Sequence, residues 1–247
     1  MVVRPVLQNR SSKESSPGGH TLDAVLFDFD GTLLETESVL QATWVDEYVL
    51  AGHCLTPQDW AGQTGRRHVD HYEILAMLVG PSFDVEACRT RRRSRQDELL
   101  SDLGPRPGMV AALSFCRERG IPTAVVSSSP RDWVLGQLSR GGLRHDFDAL
   151  ICREDVYATK PDPAPYLVAL DRLSARPTSA VAVEDAPSGV ASALAAGIAC
   201  IAVPNDVTRH LAFPKGAKVL PDSADLPTAL SEHVRAHAER LRSLKQP

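Results

Sequence analysis

The sequence predicts an α/β fold, a doubly wound parallel sheet whose core is interrupted by an inserted α-helical cap domain. Three observations predict it. Five short apolar runs recur along the chain with helical patterns between them, the alternation expected of a parallel sheet. Residues from about Val39 to Leu103 hold three or four amphipathic helical stretches and no convincing strand. The turn formers Gly104–Gly108, GPRPG, then mark a boundary.

The elements follow in order. Residues 1–20 are rich in Ser, Pro, Gly and charge and read as a flexible tail. They lack the apolar stretch of a secretory signal, and a transit peptide is the weaker reading. Core residues 21–38 open on Leu22–Asp28, LDAVLFD, which is short, apolar and polar at its end, as a buried parallel strand is. Residues 39–104 form the cap. Residues 105–247 return to the core, with strands at Pro122–Ser127, Ala149–Cys152, Ala180–Val183 and Ile198–Val203. Helical patterns lie at Met109–Arg119, Arg131–Arg140, Pro163–Leu173 and Ser188–Ala196, and Leu226–Leu244 closes the core.

Composition bounds the function. A chain of 247 residues is long enough for one α/β domain with an insert. The net charge of -4 argues against a nucleic-acid binder, and no apolar run approaches the ~18 residues of a membrane span. Cys54, Cys88, Cys116, Cys152 and Cys200 form no CxxC and read as reduced, mostly buried thiols of a cytoplasmic protein. A small molecule is the expected partner, and a monomer the expected state, with a dimer as the alternative.

The chemistry lies at strand ends. Asp28-Phe29-Asp30-Gly31-Thr32 sits where the first strand stops, and alternation aims Asp28 and Asp30 the same way. Carboxylates this close repel unless a cation intervenes; one can then be a nucleophile and the other a proton shuttle. A calcium loop starting at Asp28 would need Gly at Leu33 and Glu at Val39, and has neither. Ser127 follows PTAVV, where its hydroxyl can donate to a phosphoryl oxygen, although one of Ser127, Ser128 and Ser129 is expected to cap the helix at Arg131. Lys160 lies between Thr159 and Pro161-Asp162-Pro163, a stiffened cation for a carboxylate-rich site. Glu184-Asp185 follows AVAV and offers oxygen ligands for Mg²⁺. Together these groups make a phosphoryl-transfer constellation. Thr32 and Ser128 are candidates to touch the substrate.

With those motifs, FDFDGT, the Ser of VVSSS, the Lys of TKPDP, and VEDAPSGV followed by AALAAG, the sequence resembles the haloacid dehalogenase superfamily. It is most like the branch of β-phosphoglucomutase and the sugar-phosphate phosphatases. The resemblance implies a Rossmann-like core and a helical cap. It also implies roles: Asp28 as nucleophile, Asp30 as general acid/base, and Ser127 and Lys160 as stabilisers. Mg²⁺ would be held by Asp28, the Asp30 carbonyl and Asp185, with Glu184 helping directly or through water. The expected function is Mg²⁺-dependent hydrolysis of a small phosphorylated metabolite; a phosphomutase and an idle binding protein are the alternatives. β-Phosphoglucomutases carry a catalytic histidine where this chain has Leu40.

Other features carry less. Arg66 and Arg67 follow a Gly-bearing loop and are candidates for recognising the leaving group. His68 and His71 could share a helix face, but with no third ligand they read as structural. Trp44, Trp60 and Trp133 read as packing. The arginine run at 91–95 reads as a solvated cap face.

Overall fold

The computed structural model describes residues 22–56, 59–60 and 70–244. Six parallel strands form one sheet: β1 (Ala24–Phe27), β2 (Thr123–Val126), β3 (Ala149–Ile151), β4 (Ala180–Glu184), β5 (Ala199–Ala202) and β6 (Lys218–Val219). Their spatial order is β3-β2-β1-β4-β5-β6, the order of a doubly wound Rossmann-like sheet. The five expected strands are present within two residues of their expected bounds. The sixth, β6, was not anticipated: it is two exposed residues on the sheet edge and has no apolar run to announce it.

Side-chain alternation sorts the strands onto two faces. Val25, Phe27, Val125, Val181 and Val183 pack on one side, with Met109 and Leu113 of α4 (Met109–Glu118) and Leu226 and Leu230 of α8 (Leu226–Ser243). Ala24, Leu26, Ala124, Ala180 and Ala182 face the other, where small side chains admit α6 (Ala164–Leu173) and α7 (Pro187–Ala195) closely. Each fully buried Val, Leu or Phe contributes about 1.5–3 kcal/mol, so these two layers hold the sheet that carries the site. Helix α5 (Arg131–Arg140) follows β2.

Between β1 and α4 the described elements are helices: α1 (Thr36–Leu50), α2 (His71–Val79) and α3 (Val85–Leu100). Asp70 caps α2 by accepting from the backbone N–H of Tyr72 and Glu73, and Asp84 caps α3 through Ala87. They share a third cluster, in which His71 lies against the rings of Trp44 and Trp60 and bonds the Tyr48 hydroxyl at 3.1 Å. The solvated reading of the arginine run holds for Arg91, Arg93 and Arg95, which are exposed, and needs correction at Arg92. Arg91 pairs with the buried carboxylate of Glu47 at 2.5 Å, and Arg92 lies 3.4 Å from the centre of the Trp44 ring while donating to Tyr72 and Thr43. These two arginines fasten α3 to α1 and α2, and Arg95, also exposed, pairs with Asp46 of α1 and with Glu98.

The chain leaves and re-enters the core at one place. Leu34 bridges antiparallel to Pro105, and the Arg106 N–H donates to the Leu33 carbonyl at 2.9 Å. No helix among the described residues is long and apolar enough to cross a membrane. All five cysteines are free, and all but Cys54 are buried.

Candidate active site

Strand order brings the motifs together. Strands β2, β1 and β4 are neighbours, so Ser127, Asp28 and Glu184-Asp185 leave the sheet side by side where the strand order reverses. The Asp28 N–H still donates to the Val183 carbonyl at 2.9 Å, which fixes the acid at the strand's end. A cavity of about 360 Å³ opens there, lined by Asp28, Asp30, Ser127, Ser128, Lys160, Glu184 and Asp185.

Lys160 is buried at the centre. Its Nζ donates to Asp28 Oδ1 at 2.5 Å and to the Val126 carbonyl at 2.8 Å, and lies 2.6 Å from Glu184 Oε1. Burial opposes its charge, but Asp28 and Glu184 outweigh burial and hold the lysine above its ordinary value. The Tyr166 hydroxyl donates to the same Glu184 oxygen at 2.5 Å. Gly189 is required beside it, since any Cβ there would collide with the Glu184 carboxylate.

Asp30 is held by three donors: Ser129 Oγ at 2.5 Å, Trp133 Nε1 at 2.8 Å and Thr36 Oγ1 at 2.8 Å. Burial raises its pKa and the three donors pull against that rise. Asp185 is gripped by Asn205 Nδ2 at 2.7 Å and Thr32 Oγ1 at 3.3 Å, and burial pushes it well above the usual carboxylate range. Gly31 adopts φ of 77°, and a Cβ there would strike Asp185 and Asn205. Arg106 clamps the loop below: its guanidinium donates to the carbonyls of Gly31, Val203 and Pro204 at 2.5, 2.8 and 2.9 Å.

The charge balance fits a divalent cation. Carboxylate oxygens of Asp28, Glu184 and Asp185 lie within 4.8 Å of one another, all buried. Glu37 also lines the cavity, and burial with Asp30 and Asp28 nearby pushes it up to about 8. Glu184 is raised as well, by burial and then Asp28. So many strained carboxyl groups around one lysine call for a further positive charge, and a donor set of oxygens alone suits a hard ion.

Several residues stand apart from expectation. Thr32 is fully buried and its hydroxyl is spent on Asp185, so it supports that carboxylate and does not line the cavity. None of the three serines caps α5. Ser127 Oγ accepts from the Ser129 N–H at 3.0 Å, Ser129 turns to Asp30, and the carboxylate of Glu154 receives the Arg131 N–H instead. Trp133, read as packing, bonds the site directly. Arg66, Arg67 and His68 lie outside the described residues. Trp60 is buried in the helical cluster. Tyr166, Asn205 and Trp133 escaped the sequence reading because each reaches the site from a helix or a distant loop. Only the position of Trp133 in the first turn after the serine loop could have flagged it.

Comparison with known proteins decides the family. The model of the haloacid dehalogenase-like hydrolases matches residues 22–197. The chain belongs to that family. Among relatives, this hydrolase is 32% identical over 188 residues to hexitol phosphatase A of Escherichia coli, covering 74% of this chain and 85% of the other. It is 30% identical over 178 residues to the phosphorylated carbohydrates phosphatase of Thermotoga maritima, covering 72% and 82%. Its fold matches a variant of CbbY from Rhodobacter sphaeroides in complex with xylulose-(1,5)bisphosphate. That match has a TM-score of 0.69 and 25% identity, and covers 83% of this chain and 96% of the other. This hydrolase is a phosphohydrolase of the sugar-phosphate phosphatase branch.

Proposed function

We propose that the protein is a Mg²⁺-dependent phosphatase that hydrolyses a small phosphorylated metabolite, a sugar phosphate or similar monoester, through an aspartyl-phosphate on Asp28. The observation that carries this reading is the setting of Asp28. One of its oxygens is paired with the buried Lys160, while the other has no hydrogen-bond partner among the described residues. A carboxylate with one oxygen held and one free is an oriented nucleophile.

In the first step Asp28 attacks phosphorus in line, the ester P–O bond breaks, and the leaving oxygen takes the proton of Asp30. Burial favours that proton on Asp30, and Ser129, Trp133 and Thr36 orient the group. In the second step Asp30 takes a proton from water, whose oxygen attacks phosphorus; phosphate leaves and Asp28 regains its carboxylate. Lys160 offsets the charge on Asp28 and on the transferred group, and Ser127 donates to a phosphoryl oxygen. Asp28, the Asp30 carbonyl and Asp185, with Glu184 helping, would hold Mg²⁺, which would neutralise charge on the phosphoryl group. Residues 39–104 serve as the cap, and Arg66 and Arg67 take part in recognising the leaving group.

The substrate class is supported by the relatives named for phosphorylated carbohydrates and hexitols, and by the bisphosphate in CbbY. Hydrolysis is favoured over phosphoryl return to a sugar because Leu40, unlike the histidine of β-phosphoglucomutases, cannot move a proton. Five free cysteines are in keeping with a cytoplasmic setting. The test is phosphate release across a panel of phosphorylated metabolites, with Mg²⁺ and with chelator. Release only with the metal is expected; release from no monoester in Mg²⁺ would overturn the reading.

A further inference from the structure

The cavity is lined by the carboxyl groups of Asp28, Asp30, Glu37, Glu184 and Asp185, and also by Arg153. Arg153 lies just beyond β3, and its backbone N–H donates to the Ser129 carbonyl at 3.2 Å, which ties it to the serine loop. Its side chain lines the cavity and, among the described residues, has neither an ion-pair nor a hydrogen-bond partner. Its neighbours are not free in this way. Arg131 and Arg172 both give their charge to Asp155, and Lys160 is shared between Asp28 and Glu184. Glu154, next in sequence, points its carboxylate at the N–H of Arg131.

Ser128 supplies an independent sign. It lines the same cavity, and its Oγ is buried without a hydrogen-bond partner among the described residues. A buried hydroxyl left in that state carries its desolvation cost until a ligand accepts from it. An uncommitted guanidinium and an uncommitted hydroxyl lining one cavity match the oxygens of an anion. An anionic substrate also meets repulsion from the carboxylates of the cavity, which a further cation lining it would offset.

We infer that Ser128 and Arg153 form an anion subsite for the part of the substrate that is not transferred. The preferred substrate is thus a phosphate ester carrying a second acidic group, a carboxylate or another phosphate. This rests on the phosphatase reading of the same cavity. The full chain with Mg²⁺ tests it through competition against p-nitrophenyl phosphate by matched pairs. 3-Phosphoglycerate against glycerol 3-phosphate isolates the carboxylate; fructose 1,6-bisphosphate against fructose 6-phosphate isolates the second phosphate. At least one doubly acidic compound should compete about tenfold or more tightly than its match. Arg153→Ala and Ser128→Ala should each shrink that ratio, Arg153→Ala to near unity, with partial recovery in Arg153→Lys. No preference in either pair, or a ratio unchanged by Arg153→Ala, would overturn the subsite. An equal weakening of both members of a pair would do the same, since that is what a merely structural role produces. A wild-type protein that releases no phosphate from p-nitrophenyl phosphate or any of the four compounds would instead overturn the phosphatase reading, and this inference with it.

Discussion

Asp28 and Asp30 stand two residues apart and face opposite demands. In the proposed mechanism Asp28 attacks, and the buried Lys160, 2.5 Å away, holds and orients its carboxylate. Asp30 must give up a proton and then take one back, which suits a carboxyl raised by burial and restrained by three donors. Asp28→Asn should therefore lower turnover by about 10⁴-fold or more while the chain stays folded, because an amide is neither a nucleophile nor a good metal ligand. Near-normal phosphate release from the purified, folded variant would remove the covalent mechanism. Trp133→Phe tests Asp30. Losing the indole donor removes a bond that favours ionised Asp30, so its pKa should rise further. The limb of the kcat/KM profile that needs protonated Asp30 should shift to higher pH, while loss of the orienting bond lowers the plateau about tenfold. A limb that stays put would take Trp133 out of the proton path.

Elements carry the site because a few side chains lock their ends together. Asp155, just after β3, accepts from the Cys152 N–H at 2.8 Å and from Arg172 of α6 at 2.6 Å, and pairs with Arg131 of α5. Burial raises its pKa, but those donors win and hold the carboxyl below its ordinary value. The stabilisation is thus complete above about pH 4, the unfolded value, and is lost as pH falls through the folded one. Asp155→Ala should cost about 2–3 kcal/mol at neutral pH, and the gap to wild type should close in acid. Denaturant midpoints at pH 7 and pH 3 measure this; a gap that does not narrow would show that the charge is not what stabilises. The same scale explains what was legible in the sequence. Buried strands such as AVAV were plain because an apolar run bounded by turn formers has few other readings, and DFDGT at the end of one pointed to chemistry. Arg106 was not, because its three carbonyl partners belong to two loops, one of them 97 residues away. Nor were Arg91 and Arg92, since a run of like charges reads as solvent-facing until Glu47 and Trp44 are seen behind it.

Across the whole molecule, the cluster of Asp28, Glu184 and Asp185 is a source of instability that an ion relieves. An ion held there binds only the folded arrangement, so Mg²⁺, on the proposed function, should stabilise as well as activate. At about 100 times its dissociation constant the gain is ~2.7 kcal/mol, roughly 5–10 °C in Tm for a chain of this size. Thermal unfolding in EDTA and in Mg²⁺ measures it, and identical melting curves would argue that the ion does not sit among these carboxylates. A different consequence follows from the bridge between Leu34 and Pro105, with Arg106 bonded back to Leu33. Everything from Thr36 to Gly104 departs from and returns to a single seam. The sheet on the far side of that seam never registers how long the excursion is, because doubling a flexible loop adds only about 0.6 kcal/mol of closure cost. The helices beyond Glu37 can therefore lengthen or shorten at little cost to the sheet, whereas Thr36 and Glu37, at the near edge of the seam, are tied to the site.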